Sequence, residues 1–491
     1  MNLASTLCVP LAPRLDTSGW VDSLRAIVGA ESVLADPKEL LAYECDGYTL
    51  QRHPPTAVVL PRTTAEVAAV VELCARLNLP IIPRGAGTSL CGGVLAVEGG
   101  VMIALTRMNR VLALDVRNRR ALVEAGCVNA WVTREAAPHG LCYAPDPSSQ
   151  PACTIGGNIA TNSGGPHTLK YGVTTNHVLG LELVLPDGSV QWLGVTPDGG
   201  EDVEGYDLRG ALIGSEGMFG VVTRALLRLI PTPTHWRTFL GVFDTVDEAS
   251  HAVSDIIAAG IVPAALEMMD RLIVSALEEA YHFGFPLDAG AVLIIELDGL
   301  PAGLAAQAGV IEALCRGRGA REVRVARDEA ERAALWKCRK RAFGAIGRLS
   351  PNYVTQDGVV PRSKLPQIMQ FIQETSRRHD LRIPNVFHAG DGNIHPLILY
   401  DEREPGQVQR ALAAGHDILT RCIELGGSVT GEHGIGVEKM DYMALQFTES
   451  DLDAMRTLRR VFDPDQRCNP HKMFPGSKRC SDFAVRKQAH A

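Results

Sequence analysis

The chain has 491 residues, 46% of them apolar, enough for two or three packed domains. A formal net charge of -8, with no Lys/Arg-dense run broken by aromatics, leaves no basic field for phosphates and argues against a nucleic-acid partner. No run reaches the roughly 18–20 apolar residues of a membrane span, Met1 to Trp20 lacks a signal-peptide pattern, and the twelve cysteines form no C-x-x-C pair; the expected setting is the reducing cytoplasm, with membrane docking only through partners and no iron–sulfur or zinc-knuckle ligands.

From Pro55 to Pro231 short β-rich runs (Ala57 to Leu60, Val101 to Leu105, Ala121 to Val123, Val178 to Leu185) are punctuated by Gly, Asn and Asp. The spacing of Val67, Val70, Val71 and Cys74 predicts a helix over Thr64 to Leu77 behind a Thr cap. Beyond Pro231 the pattern predicts helices over Ala249 to Ala258, Leu266 to Glu279, Asp328 to Ile346 and Leu365 to His379. Strands at Phe239 to Phe243, Val292 to Leu297 and Val359 alternate with them, giving a helix-backed sheet. The fold class is α+β. The expected divisions are 1–232 (core from about 54), 233–425 and a Gly-rich returning segment 426–475, with 476–491 expected as a disordered charged tail.

Three glycine-rich loops fall in the first region. Leu79-Pro80-Ile81-Ile82 runs into Pro83, Arg84, Gly85, Ala86, Gly87, Thr88 and Ser89, a loop that exposes successive backbone N–H groups and two hydroxyls and so suits a diphosphate. Glycines at 85, 87 and 92 do not form G-x-G-x-x-G, and no helix pattern follows at once, which argues against NAD. The second loop joins Asp146, Pro147 and Ser148 to Thr154, Gly156, Gly157, Asn158, Ala160, Asn162, Gly164 and Gly165. It is expected not to form a packed helix, so its backbone needs an external partner. The third, Gly214 to Thr223 with Glu216, Gly217, Gly220, Val221 and Val222, leads into a strand and is suited to present backbone groups to a flat ring. A single such loop is structural more often than functional; three in one region of about 140 residues favour a large cofactor.

In His388-Ala389-Gly390-Asp391-Gly392-Asn393-Ile394-His395, Asp-Gly signals a two-residue hairpin turn that sets His388 opposite His395. Cβ atoms so paired lie about 4.5–5.5 Å apart, close enough for two imidazoles to converge on one cation. Gly431-Glu432-His433-Gly434 offers the completing carboxylate. Two His and one Glu leave positions open for substrate oxygens, as in a catalytic metal site. The flanking glycines permit an irregular turn in which Glu432 holds the metal while His433 holds the proton.

The chain resembles the FAD-linked D-2-hydroxyacid dehydrogenase family, and within it the catalytic flavin subunits of the bacterial glycolate oxidase and D-lactate dehydrogenase type, from about Leu34 to Pro475. PRGAGTSLCGG (83–93), TIGGNIATNSGG (154–165), FGAIGRLSPNYVTQDGVVPRSKLP (343–366), VFHAGDGNIHPLILYD (386–401) and TGEHGIGVEKMDYM (430–443) carry it. Leu397 and the segment around Thr355 favour a short substrate over a longer dicarboxylate, and Cys91 and Ser163 stand where Ser and Ala are expected.

The resemblance implies a two-part FAD-binding domain of the vanillyl-alcohol-oxidase (PCMH) type over 1–232, with the three loops and Asn469 on the cofactor. It also implies a helix-backed antiparallel-sheet cap domain carrying the metal hairpin. FAD is expected to be non-covalent, since no His stands where attachment would occur. A divalent metal, Zn or Mn, on His388, His395 and Glu432 is expected to bind the substrate carboxylate and 2-hydroxyl. His433 takes the hydroxyl proton, the α-hydrogen passes to the flavin, and Arg339 clamps the carboxylate, although the helix around it is rich in Lys and Arg of which most face water. Implied partners are an iron–sulfur subunit and a second, shorter flavin-domain subunit, loosely attached to the membrane. The competing readings are a non-redox FAD transferase of the alkyl-dihydroxyacetonephosphate synthase type and a non-catalytic flavin subunit.

Overall fold

The structure, a computed structural model, describes residues 18–200 and 204–475; the expected tail at 476–491 lies outside these. Two small sheets form the first region. In one, Ile81–Arg84, Val101–Ala104 and Ala57–Val59 run parallel, with Val33–Leu34 antiparallel at the edge. The other is five-stranded and antiparallel, ordered Val111–Asp115, Arg120–Glu124, Val221–Arg228, Val178–Val184, Val190–Gly194. Helix Thr64–Leu77 forms as predicted. Thr63 caps it through Glu66 N, Asn78 ends it in the left-handed region, and Val67, Val70, Val71 and Cys74 are buried against the first sheet.

The cap region is a seven-stranded sheet, all of whose pairings are antiparallel. Its order is Glu322–Val325, Trp236–Phe243, Ala291–Asp298, Ala265–Asp270, Val386–His388, Asn393–Ile394, Gly358–Val359. Helices cover both faces. Phe239, Leu293 and Ile295 meet Val246–Ala258, Leu365–His379 and Gln407–Glu424, whereas Leu240, Val242 and Ile294 meet Arg271–Tyr281 and Glu329–Ile346. After Gly426 the chain returns to the first region: Ile81 N donates to Arg467 O and Asn469 N to Ile81 O, while Val437 N reaches Cys91 O.

Three expectations are corrected. Leu266 to Glu279 is not one helix: Ala265–Asp270 is a strand, and Asp270 caps a helix that begins at Arg271. A strand buried on both faces shows no alternation, so its apolar run reads like a buried helix. The glycine-rich second loop does contain a packed helix, Ile155–Thr161, capped by Thr154 and closed by left-handed Asn162, with Ile155, Asn158 and Ile159 buried. Gly156 is what lets it pack, since a Cβ there would stand 2.9 Å from the Ala125 side chain. The hairpin register also differs: His388 pairs with Asn393, across the four residues 389–392. The slip is of two residues, and an even slip keeps side chains on the same face, so His395 still joins His388.

Candidate active site

A cavity of about 390 Å³ runs between the two regions. It is walled by the loop Pro83–Ser89, by Pro147, Ser148 and Thr154, and by the first turns of helix Ile155–Thr161 at Gly156, Gly157, Asn158 and Ala160. Glu216, Gly217, Gly220 and Val222 form a further side. The amides of Ala86, Gly87 and Thr88 donate to no acceptor among the described residues, so the loop presents three free donors to an anion.

The same wall includes His388, His395, Glu432 and His433. His388 Nε2 lies 3.0 Å and His395 Nε2 3.2 Å from the same oxygen, Glu432 Oε1, and the two rings meet edge-on at 5.2 Å. All three groups are nearly or fully buried, and Glu432 Oε2 has no partner among the described residues. Burial alone would push the Glu432 carboxyl up, but the two imidazoles hold it well below the usual range. Burial likewise works to lower His388, yet Glu267 and Glu432 on either side raise it to about 10. Nitrogen and oxygen lone pairs converging on one buried point are the donor set of a divalent cation, and the residues fit one.

A second cluster of candidate ligands, Asp357, His395 and His433, does not fit. Asp357 is already saturated: Oδ2 accepts from Thr430 Oγ1 (2.6 Å), Lys439 Nζ (3.1 Å) and the amides of Gly431 and His433. It is the peg on which the loop 430–433 hangs. Burial opposes its charge, but the Lys439 ammonium beside it keeps its carboxyl far below the ordinary value. The loop's other side is clamped by Glu216, which accepts from the amides of Ile435 (2.6 Å) and Gly436 (2.8 Å). His433 stacks on His395 at 4.8 Å and 6°, its Nδ1 has no partner, and burial pushes it down to about 4.

Comparison with known proteins decides the class. Residues 55–194 match the FAD binding domain and residues 232–473 the C-terminal domain of FAD linked oxidases. The glycolate oxidase subunit GlcD of Escherichia coli (strain K12) is 44% identical over 97% of this chain and 95% of its own length. The chain belongs to the FAD-linked oxidases. A D-lactate dehydrogenase of Anaerostipes hadrus is 33% identical over 85% of the chain and 89% of its own length. The fold is that of substrate-bound p-cresol methylhydroxylase, with a TM-score of 0.80 at 17% identity, covering 94% of this chain and 97% of that one.

As an FAD-linked oxidase the protein is a flavoenzyme, and the free amides of its first loop are of the kind that would suit a diphosphate. Not every expected cofactor residue reaches the cavity wall. Asp146 instead accepts from His167 at 2.9 Å, Asn162 accepts from Thr175 N, and Val221 sits in the core. Gly165 packs against Asp146, and Gly164 lies behind Glu432, 3.2 Å from its Oε2 to an added Cβ. Asn469 ties two loops together through Gly93 O and Glu216 O. Arg339 is also off the wall and, unlike most cations of its helix, fully buried; its Nε donates to Glu267 at 2.6 Å and its two terminal nitrogens have no partner among the described residues. Leu397 and Thr355 pair with each other in a side ladder, buried and away from the cavity.

Lys340, Phe343 and Tyr353 complete the wall beside the histidines, and Asp357 and Glu267 support it; sequence reasoning named none of them individually. Lys340 and Phe343 share the helix Glu329–Ile346, where a predicted helix face was the available signal.

Proposed function

We propose that this enzyme oxidises a short 2-hydroxy acid, glycolate to glyoxylate in the first place and D-lactate to pyruvate in the second. The observation that carries this reading is the meeting of His388, His395, Glu432 and His433 on the wall of the FAD cavity. The preference for glycolate leans on the relative of 44% identity, whose name is that of a glycolate oxidase subunit.

In this reading residues 1–232 hold FAD without a covalent bond, 233–425 hold the substrate and metal ligands, and 426–475 close the site. FAD supplies an acceptor for two electrons and the substrate's α-hydrogen. A divalent cation, Zn or Mn, on His388, His395 and Glu432 supplies Lewis acidity that favours ionisation of the 2-hydroxyl. His433, neutral and with a free ring nitrogen, takes the hydroxyl proton. Arg339, behind the wall but with two unmatched nitrogens, would clamp the carboxylate with its planar fork once its side chain reaches into the cavity. Electrons then leave for an iron–sulfur partner subunit or a quinone, with a second flavin-domain subunit in the assembly. The location would be the cytoplasm, or the inner face of the cell membrane; no described helix is long and apolar enough to cross a membrane.

The test is anaerobic mixing of the purified flavoprotein with glycolate, D-lactate, L-lactate and D-2-hydroxyglutarate while following flavin absorbance. Fast bleaching by glycolate or D-lactate is expected; a flavin untouched by all four would overturn the reading.

A further inference from the structure

Glu267 has no role in the chemistry described so far, yet it joins two of its parts. It lies on the central strand Ala265–Asp270, directly opposite His388 in the ladder, and is completely buried. Its Oε1 is 2.7 Å from His388 Nδ1, and its Oε2 accepts from Arg339 Nε at 2.6 Å. His388 turns its other nitrogen, Nε2, toward Glu432, and the two terminal nitrogens of Arg339 have no partner among the described residues.

We propose that Glu267 is a positioning residue for the metal site, fixing the proton of His388 on Nδ1 so that the Nε2 lone pair faces the cation. The proposal rests on the reading of His388 as a metal ligand. A carboxylate between two donors admits one arrangement: both oxygens accept, so Nδ1 keeps its hydrogen, and Nε2, facing Glu432 at 3.0 Å, is the nitrogen left to exchange its own proton for a cation. An amide has only one acceptor. In Glu267→Gln, if the amide oxygen accepts from Arg339, its NH₂ faces His388 Nδ1, and the ring proton moves to Nε2, where it blocks a cation. In the opposite orientation NH₂ faces the Arg339 N–H, two donors in contact in a buried place. Arg339 therefore makes the charge of Glu267 irreplaceable by its closest isostere.

The test uses the holoenzyme with FAD bound, stripped of metal by a chelator and titrated with Zn²⁺ in competition with a chromogenic chelator. Glu267→Gln is expected to lower the thermal midpoint, because buried Arg339 loses its anion, yet to fold with the flavin spectrum of the wild type and, once folded, to bind Zn²⁺ about ten- to a hundredfold more weakly. A merely structural role would move the midpoint and leave the zinc affinity of the folded fraction alone. Should Glu267→Gln lose FAD, Glu267→Asp is read by the same titration; it keeps the charge but is one methylene too short to serve both donors, and weaker Zn²⁺ binding is expected again. Either folded variant binding Zn²⁺ as tightly as the wild type overturns this proposal alone. A wild type that binds no Zn²⁺ overturns the metal reading and this proposal with it, while hydroxy-acid bleaching of the flavin tests the oxidation independently.

Discussion

Burial pushes the His433 imidazole down to about 4 and Nδ1 has no partner among the described residues, so the ring is neutral and, in the proposed reading, would act as the base. Replacing it by Asn keeps a planar polar side chain but gives up the ring that stacks on His395 and the nitrogen that would accept the proton. His433→Asn should therefore retain FAD and metal while slowing flavin reduction by about 10²–10⁴-fold, the usual worth of a positioned general base. Stopped-flow bleaching measures this, and turnover near the wild-type rate would take His433 out of the base role. Asp357 is a different kind of residue, since it touches no cavity yet holds the loop that carries Glu432 and His433. Asp357→Asn strands the ammonium of Lys439, which is fully buried and, among the described residues, bonded otherwise only to Gly434 O. Removing one partner of such a pair costs about 3–5 kcal/mol, and urea unfolding of the holoprotein should show a loss of that order.

At the scale of elements, the two regions are locked by a polar seam. His167, just ahead of the short helix Thr168–Tyr171, bonds Asp146 at 2.9 Å and approaches Glu296 of strand Ala291–Asp298 at 3.6 Å, with Trp336 beside its ring. Burial would lower the His167 pKa, but the two carboxylates raise it from 6.5 to about 10. A raised folded-state value means the stabilisation is complete below about pH 6.5 and fades as pH climbs through about 10. The stability gap between wild type and His167→Gln should then be widest near pH 6 and close by pH ~10; a gap that is flat with pH would show that the charge does not matter. This seam was illegible in the sequence, because it joins residues more than a hundred positions apart. What was legible followed local rules: the helix Thr64–Leu77 has a capping Thr and a one-sided apolar stripe, and the strands at Phe239 and Val292 are apolar runs of strand length. The histidine pair survived a wrong register only because the error was even. The helix Ile155–Thr161 was hidden by its glycines, whose purpose is close packing on Ala125, a tertiary fact.

Taken as a whole, the molecule carries a net charge of -8 and should repel a small carboxylate. The local field at the cavity mouth has the opposite sign. Helix Glu329–Ile346 turns Lys337, Lys340 and Arg341 to an open basin that adjoins the cavity, and Lys340 borders both. Lys337 and Lys340 are exposed and form no ion pair among the described residues, whereas Arg332 in the same basin is neutralised by Glu296 and Glu329. In the proposed reading an anion crossing an acidic surface would be gathered by Lys337, Lys340 and Arg341, none of which is in an ion pair among the described residues, before it reaches the histidines. Electrostatic capture acts on encounter, not on the chemical step, and salt screens it over about 10 Å at 0.1 M. Lys337→Glu reverses one of these charges at a position outside the catalytic cavity. It should lower kcat/KM for glycolate roughly three- to tenfold at low ionic strength and leave kcat unchanged. The difference should shrink steadily as salt is added, because the screened surface no longer distinguishes the two charges. Second-order flavin reduction rates, measured against ionic strength for both proteins, decide it: a wild-type rate indifferent to salt would mean that the basin gathers nothing.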